Sequence, residues 1–380
     1  MDGLRRWLRS GGGTAAGDDT APPARLWGRV ALIYAGAVLA GWGAAALDLP
    51  LPWMIGAVTF SVAAGIAGVP MRVPQITRPI GQGVVAASVG LSFTPVALAT
   101  LSDMVVAMVG LALLTIVAGF VTAAMLMKLA HTDVITASLA SVPMGPVEAA
   151  NLAGRHGVPP GLVVFSQTLR ILLLVVMIPP LIIWVEGQGT DPNAALRAIP
   201  WSWTGAALLA VAVATGGALF RAIRFANPFF LGPLGLSAAF AALALPVTAF
   251  PYPVLAGAQV LLGVWLGAVV DRPFFTRAGR FVPAALVATL VMIALCFGLG
   301  LGIGALTGER WTTMVLAAAP GSVTEMALTA KILQDGVAVV TAFHITRIFI
   351  IIPSAPLIFR IMARLAGQEL HGPDPGPPRR

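Results

Sequence analysis

Apolar residues run along this chain in blocks that no soluble core needs. Met104 to Lys128, Gly161 to Trp184 and Phe281 to Leu306 each suffice to span roughly 30 Å of hydrocarbon at about 1.5 Å per residue. Cutting the sequence at its polar and Pro/Gly punctuation yields twelve apolar segments. Six precede a polar connector: Val30 to Leu47, Pro52 to Gly68, Pro79 to Leu98, Met104 to Lys128, Asp133 to Gly154 and Gly161 to Trp184. Six follow it: Trp203 to Phe220, Phe229 to Leu245, Val254 to Val270, Phe281 to Leu306, Thr312 to Lys331 and Gly336 to Phe359. The pattern predicts an all-α polytopic membrane protein. Residues 1–29 read as a flexible basic tail, 30–185 as a first membrane unit, 186–200 as the connector, 201–365 as a second unit and 366–380 as a Pro-rich charged tail.

The two units are copies of one another. Pro143 and Pro320, Glu148 and Glu325, Gln167 and His344, and Arg170 and Arg347 are each 177 positions apart, as are Gln82 and Gln259, and Gly90 and Gly267. LPWMIGA from Leu51 sits over NPFFLGP from Asn227 at an offset of 176. Loop charge orients the copies. If all twelve segments cross, 14 Lys and Arg of the loops and tails lie on the N-terminal side and 7 opposite. If the segments starting at Asp133 and Thr312 enter and return on one side, the split becomes 18 to 3. The positive-inside rule favours the second arrangement. Each copy then crosses five times, an odd number, so the repeats are inverted, with one broken or re-entrant segment in each. Both termini then lie in the cytoplasm of a bacterial inner membrane and the connector lies outside.

Those two segments also carry the unusual chemistry: SVPMGPVEAAN, from Ser141 to Asn151, and AAPGSVTEMAL, from Ala318 to Leu328. Broken backbone at membrane depth persists only where protein buries it or a cavity wets it. A helix restarting at Gly145, or at Gly321 and Ser322, would aim free N–H groups and a positive dipole end into such a cavity, which favours an anion. Ser322 with Glu325 also fits a capping box, whose purpose is only to close a helix start. Glu148 has no such capping side chain at Gly145. Arg170 and Arg347 lie about ten residues into apolar spans, where a charge costs at least about 2.5–3.5 kcal/mol and needs a partner. A buried Glu–Arg pair is one reading, and a pair of guanidinium forks for a carboxylate or phosphate is the other. Gln167 and His344 precede the arginines by three residues and share their helix face. His344 is either a proton carrier or a hydrogen-bonded core residue. Asn151, Thr324 and Thr329 could supply neutral contacts, and Gln82 and Gln259 sit in Gly-rich packing segments.

Composition narrows the classes further. Hydrophobic residues make up 58% of the chain and charged ones 10%, so water is not its main solvent. The net charge of +8 lies in short loops and tails instead of a folded basic domain, which argues against nucleic acid as a partner. The N-terminus lacks the apolar core of a signal peptide, so the first span is expected to anchor the protein. The single cysteine, Cys296, allows no intrachain disulfide. Four dispersed histidines and the lack of nucleophile, P-loop or metal patterns predict no enzyme, no cofactor and no metal.

With these residues in view, the chain resembles the AbrB-type membrane proteins, which carry a tandem membrane duplication. The resemblance runs from about Ala31 to Leu365. It rests on LPWMIGA (Leu51 to Ala57), on GQ-x7-G-x-x-F (Gly81 to Phe93) and on APGSVTEM (Ala319 to Met326), which matches a family APGG-x-x-EM pattern. QTLR (Gln167 to Arg170) resembles the family Q-x-x-R element, and HITR (His344 to Arg347) is its second-repeat counterpart. The first repeat departs with PMGPVEA and the second with His344 in place of Gln, which implies two non-equivalent sites. Family members are often labelled regulators of gene expression or ammonia monooxygenases. Neither label finds support here, since no separate DNA-binding domain and no His-rich copper set occur.

The reading that unites these features is an ion-coupled secondary transporter of a small anionic organic molecule. Arg170, Arg347, Gly145, Gly321, Ser322, Thr324, Asn151 and Gln167 are expected to bind the solute. Glu148, Glu325 and His344 are expected to carry the coupling proton or sodium ion. The lipid bilayer is the obligatory partner, and a homo-oligomer is compatible with the chain. The alternative is a membrane sensor that binds a small ligand in the same cavity and regulates gene expression through a partner.

Overall fold

The computed structural model describes residues 23–186, 197–225, 227–270, 272 and 278–365. The segments 1–22, 187–196 and 366–380, read above as tails and connector, lie outside the described residues. Every regular element among the described residues is a helix: α1 (Pro23–Ala46), α2 (Pro52–Ile66), α3 (Thr77–Gly90), α4 (Pro95–Asp103), α5 (Val105–Ala130), α6 (Val134–Ser141), α7 (Pro146–Arg155), α8 (Pro160–Glu186), α9 (Trp203–Ala222), α10 (Pro228–Ala242), α11 (Tyr252–Gly267), α12 (Phe281–Thr307), α13 (Trp311–Ala318), α14 (Val323–Ile332) and α15 (Val337–Leu365). Six of them are long and apolar enough to cross a membrane. Their outer faces are apolar, as at Leu32, Val106, Val117, Val211 and Leu357, while Trp184 and Trp203 lie 80% exposed near helix ends, where interfacial aromatics belong. The protein is a multi-pass membrane protein.

One expected segment divides. The sequence predicts one span over Pro79 to Leu98, but the chain bends by 89° between α3 and α4. The reason is local: the Thr94 side chain caps α4 by accepting from Ala97 N at 3.3 Å, and Pro95 opens the new helix.

The duplication reaches into backbone conformation. Left-handed residues recur in pairs, with Leu51 (φ 51°) matching Asn227 (φ 48°) at 176 positions, and His131 (φ 51°) matching Gly308 (φ 75°) at 177. The broken segments match in length as well, eight residues for α6 and α13 and ten for α7 and α14.

Contact order along paired helices gives the handedness of the repeat. Thr122 Oγ1 lies 3.9 Å from Met292 Sδ, Ala118 packs with Met292 and Cys296, and Ala123 and Leu126 belong with Phe281, Ala284 and Ala288. Rising numbers on α5 therefore meet falling numbers on α12, so equivalent helices run antiparallel. In contrast α11 runs parallel to α2, with Gly263 against Met54 and Ala57 and Gly267 against Val58 and Ser61. Likewise α3 runs parallel to α10, with Gly83 against Phe229 and Gly90 against Leu234 and Ser237. Copies related by inversion through the membrane plane produce this pattern.

Two bundles result. One joins α1–α3 with α9–α11, and the other joins α5–α8 with α12–α15. In the second, the segment α13–α14 is a hairpin that enters and returns on one side. Asp335, just beyond α14, accepts hydrogen bonds from Thr312 and from Thr313 Oγ1 (2.5 Å) at the start of α13, and Arg310 Nη1 lies 3.5 Å away. A straight passage of these helices would part those ends by roughly 25 Å. Arg310 also holds Glu186, at the end of α8, at 3.0 Å.

Candidate functional site

The breaks follow from proline. Val142 (ψ 125°) and Ala319 (ψ 129°) each precede a proline and are pushed out of helical geometry, ending α6 and α13. Gly145 then starts α7 with Pro146 in its first turn, and Ser322 starts α14 by accepting from Thr324 N at 3.3 Å. Ending a helix inside the membrane strands its last carbonyls. The two arginines answer that need. Arg170 Nη1 donates to Ser141 O (2.9 Å), and Gln167 Nε2 donates to Leu139 O (2.5 Å) and Val142 O (2.9 Å) while its Oε1 accepts from Arg170. Arg347 donates from Nη1 to Ala319 O and from Nη2 to Gly321 O, both at 2.7 Å.

Glu148 and Glu325 lie on the other side of each break, in the first turns of α7 and α14, where the helix dipole is positive. They do not pair with Arg170 or Arg347, so the Glu–Arg ion pair considered from the sequence is absent here. Each carboxylate keeps an Oε2 that is buried without a hydrogen-bond partner.

The two breaks face one another across one open cleft. Pro143, Gly145 and Glu148 line it from one tip and Gly321 and Ser322 from the other, with Arg347 between them. An apolar wall comes from Ile348, Ile351 and Ile352. The first bundle adds Arg78 and Asn227, which stand at the starting ends of α3 and α10. Arg78 stacks over Trp265 at 4.3 Å and is the cation whose field reaches both Glu148 and Glu325. It was not singled out from the sequence, where it counts as one more loop charge. Its spacing of one helical turn from Gln82 is the one signal that could have found it.

Other residues expected at the site are placed elsewhere. Asn151 is exposed, because α7 buries the stripe Pro146, Ala149 and Ala153 and turns Asn151 to the opposite face. Gln167 and Arg170 are buried behind the first tip, occupied as described. His344 is fully buried, with Nδ1 on Val340 O at 2.9 Å. Thr324 accepts from Gln82 Nε2 at 3.5 Å, and Thr329 is bonded to Glu325 O.

Gln82–Thr324 is part of a clasp. Lys331 Nζ donates to Ser88 O at 2.6 Å, so α14 lies along α3 in parallel, tied at two levels. The equivalent pair α7 and α11 makes no comparable contact, and Gln259, the counterpart of Gln82, is fully buried with its amide unpartnered. The two copies thus differ in how their broken segments meet the first bundle.

Comparison with known proteins places this architecture. A family model described as "Transition state regulatory protein AbrB" matches residues 53–363. The chain is similar to "Uncharacterized protein YhjN" of Bacillus subtilis (strain 168), 27% identical over 307 residues that cover 76% of this chain and 79% of the relative. It is also similar to "Putative regulator AbrB" of Escherichia coli (strain K12), 23% identical over 353 residues, covering 90% and 98% respectively. Since the family match takes in most of the chain, including both broken hairpins, the protein belongs to the AbrB family.

Proposed function

We propose that this protein is an ion-coupled secondary transporter of a small organic anion, bound in the cleft between the two hairpin tips. The observation that carries the reading is the meeting of two inverted, broken hairpins across a cleft that also holds a guanidinium, Arg78. Inverted repeats with discontinuous helices at the substrate site are the common plan of such transporters. The anion is held by Arg78 and by the positive N-terminal ends of α7 and α14. Arg347 contributes its positive field while its Nη groups stay on carbonyls. Glu148 and Glu325, with their unpartnered oxygens, carry the coupling ion.

The protein is assigned to a bacterial inner membrane with both termini cytoplasmic, on the asymmetry of its loop charges. The cleft then opens inward, because Arg78 and Asn227 mark the cytoplasmic starts of α3 and α10. The clasp of α14 on α3 closes the outer side.

Uptake of radiolabelled mono-, di- and tricarboxylates into proteoliposomes tests this. Accumulation under a proton or sodium gradient is expected, and no movement of any of them under either gradient would refute it. The regulator name carried by the Escherichia coli relative favours a second reading, a sensor that binds the same anion without moving it. Saturable binding with zero flux would select that reading.

A further inference from the structure

We propose that Arg170 and Arg347 are resident cations that fill the places a coupling metal ion would take, leaving the carboxylate protons of Glu148 and Glu325 to couple transport. This inference rests on the transporter reading above for its consequence, though not for its geometry. In transporters with broken helices, unwound carbonyls and the carbonyl ends of half-helices are the groups that coordinate sodium. Here the carbonyls nearest the arginines are taken. Leu139 O, Ser141 O and Val142 O accept from Gln167 and Arg170 at the first break. Ala319 O and Gly321 O accept from Arg347 at the second. The occupation recurs at equivalent positions of the two repeats, 177 residues apart, although Gln167 is replaced by His344 in the second.

A guanidinium seated on these oxygens excludes a second cation twice over. It uses the ligands, and it repels by several kcal/mol at contact distance even at an effective dielectric of about 20. The groups left open differ in kind. Glu148 and Glu325 stand at the N–H ends of their half-helices, where the backbone offers donors. Each presents one unpartnered buried oxygen. A hard metal cation requires several oxygen ligands, whereas a proton requires one. The charged groups facing these carboxylates are Arg78 of α3 and, across the cleft, Arg347 of α15. Protonation of a carboxylate removes one negative charge beside Arg78, which frees that guanidinium for an anion.

The test uses the purified full-length chain in detergent, with no solute present. Its thermal unfolding is compared in sodium chloride and choline chloride at equal ionic strength, alongside equilibrium binding of radioactive sodium. The native chain is expected to show the same midpoint in both salts and no saturable sodium binding. Arg347→Ala vacates two carbonyls and is expected to gain saturable sodium binding and a sodium-specific rise of a few degrees. Arg170→Ala reads the first break independently should Arg347→Ala fail to fold. Saturable sodium binding by the native chain overturns the proposal, as does a folded arginine variant that stays indifferent to sodium. Because no solute enters the assay, its outcome is separate from whether any anion is transported.

Discussion

Arg347 and Glu325 stand on opposite sides of one break, the guanidinium on the carbonyl end of α13 and the carboxylate in the first turn of α14. Arg170 and Glu148 repeat the relation at α6 and α7. Each charge thus complements the dipole end beside it, and four ionisable residues become tolerable at membrane depth without forming a single contact ion pair among themselves. Each acid keeps one buried oxygen without a partner while the arginines are engaged elsewhere.

Arg170→Ala is therefore expected to be a stability variant. It strands Ser141 O and removes the donor that orients Gln167, a loss of about 2–4 kcal/mol. Thermal unfolding in detergent measures it, and a loss below about 0.5 kcal/mol would mean that the carbonyl finds another partner.

The hairpin geometry predicts a cross-link. Thr313→Cys with Asp335→Cys, in a Cys296→Ala background, is expected to form a disulfide under mild oxidation, since the side chains already meet at 2.5 Å. Gel mobility under non-reducing conditions reports it. Failure to cross-link in a folded variant would place the two ends apart and restore a membrane-crossing segment.

Gly145 and Gly321 occupy equivalent tips but are expected to differ. A methyl group at Gly145 would collide with Glu148 Oε2, whereas at Gly321 it meets Leu174 Cδ1 at 3.0 Å and the flexible Met326 side chain. Gly145→Ala should cut uptake at least about tenfold, since displacing a site group costs on the order of 1.4 kcal/mol or more, while Gly321→Ala should keep most of it. Equal losses in an uptake assay would argue against Glu148 as a working group.

Loosening the clasp should open the outer side. Lys331→Met removes a charge-assisted bond to Ser88 O, worth about 1.5–3 kcal/mol, which shifts a two-state equilibrium by roughly tenfold or more. A cysteine at Ser322 is then expected to react faster with an impermeant thiol reagent added outside. An unchanged rate would mean that the α3–α14 contact is not a gate.

Much of this architecture was legible in the sequence. Length and apolarity identified the six long spans, though α2, α10 and α11 are shorter than a full crossing; the offset of 177 paired Arg170 with Arg347, and loop charge implied inverted copies with returning segments. Those signals survive because lipid punishes any violation of them. The partners were not legible. Nothing in HITR says that Arg347 will reach back to Ala319 O and Gly321 O, because carbonyls are present at every residue and leave no compositional trace. Arg78 was hidden for a related reason: its charge satisfies the positive-inside count whether it sits in a loop or beneath Trp265. Asn151 shared a segment with Glu148 but not its environment, since the buried stripe of α7 is set by Pro146, Ala149 and Ala153.

The most direct measurement is counterflow of a radiolabelled organic anion in proteoliposomes, comparing the native chain with Arg78→Ala and Arg78→Lys. Native protein is predicted to exchange the anion. Arg78→Ala should lose at least about 100-fold of that exchange, as a charge-assisted fork worth roughly 3 kcal/mol or more disappears, and Arg78→Lys should recover part of it. Undiminished exchange by folded Arg78→Ala would contradict the site, and no exchange of any carboxylate by the native chain would contradict transport itself.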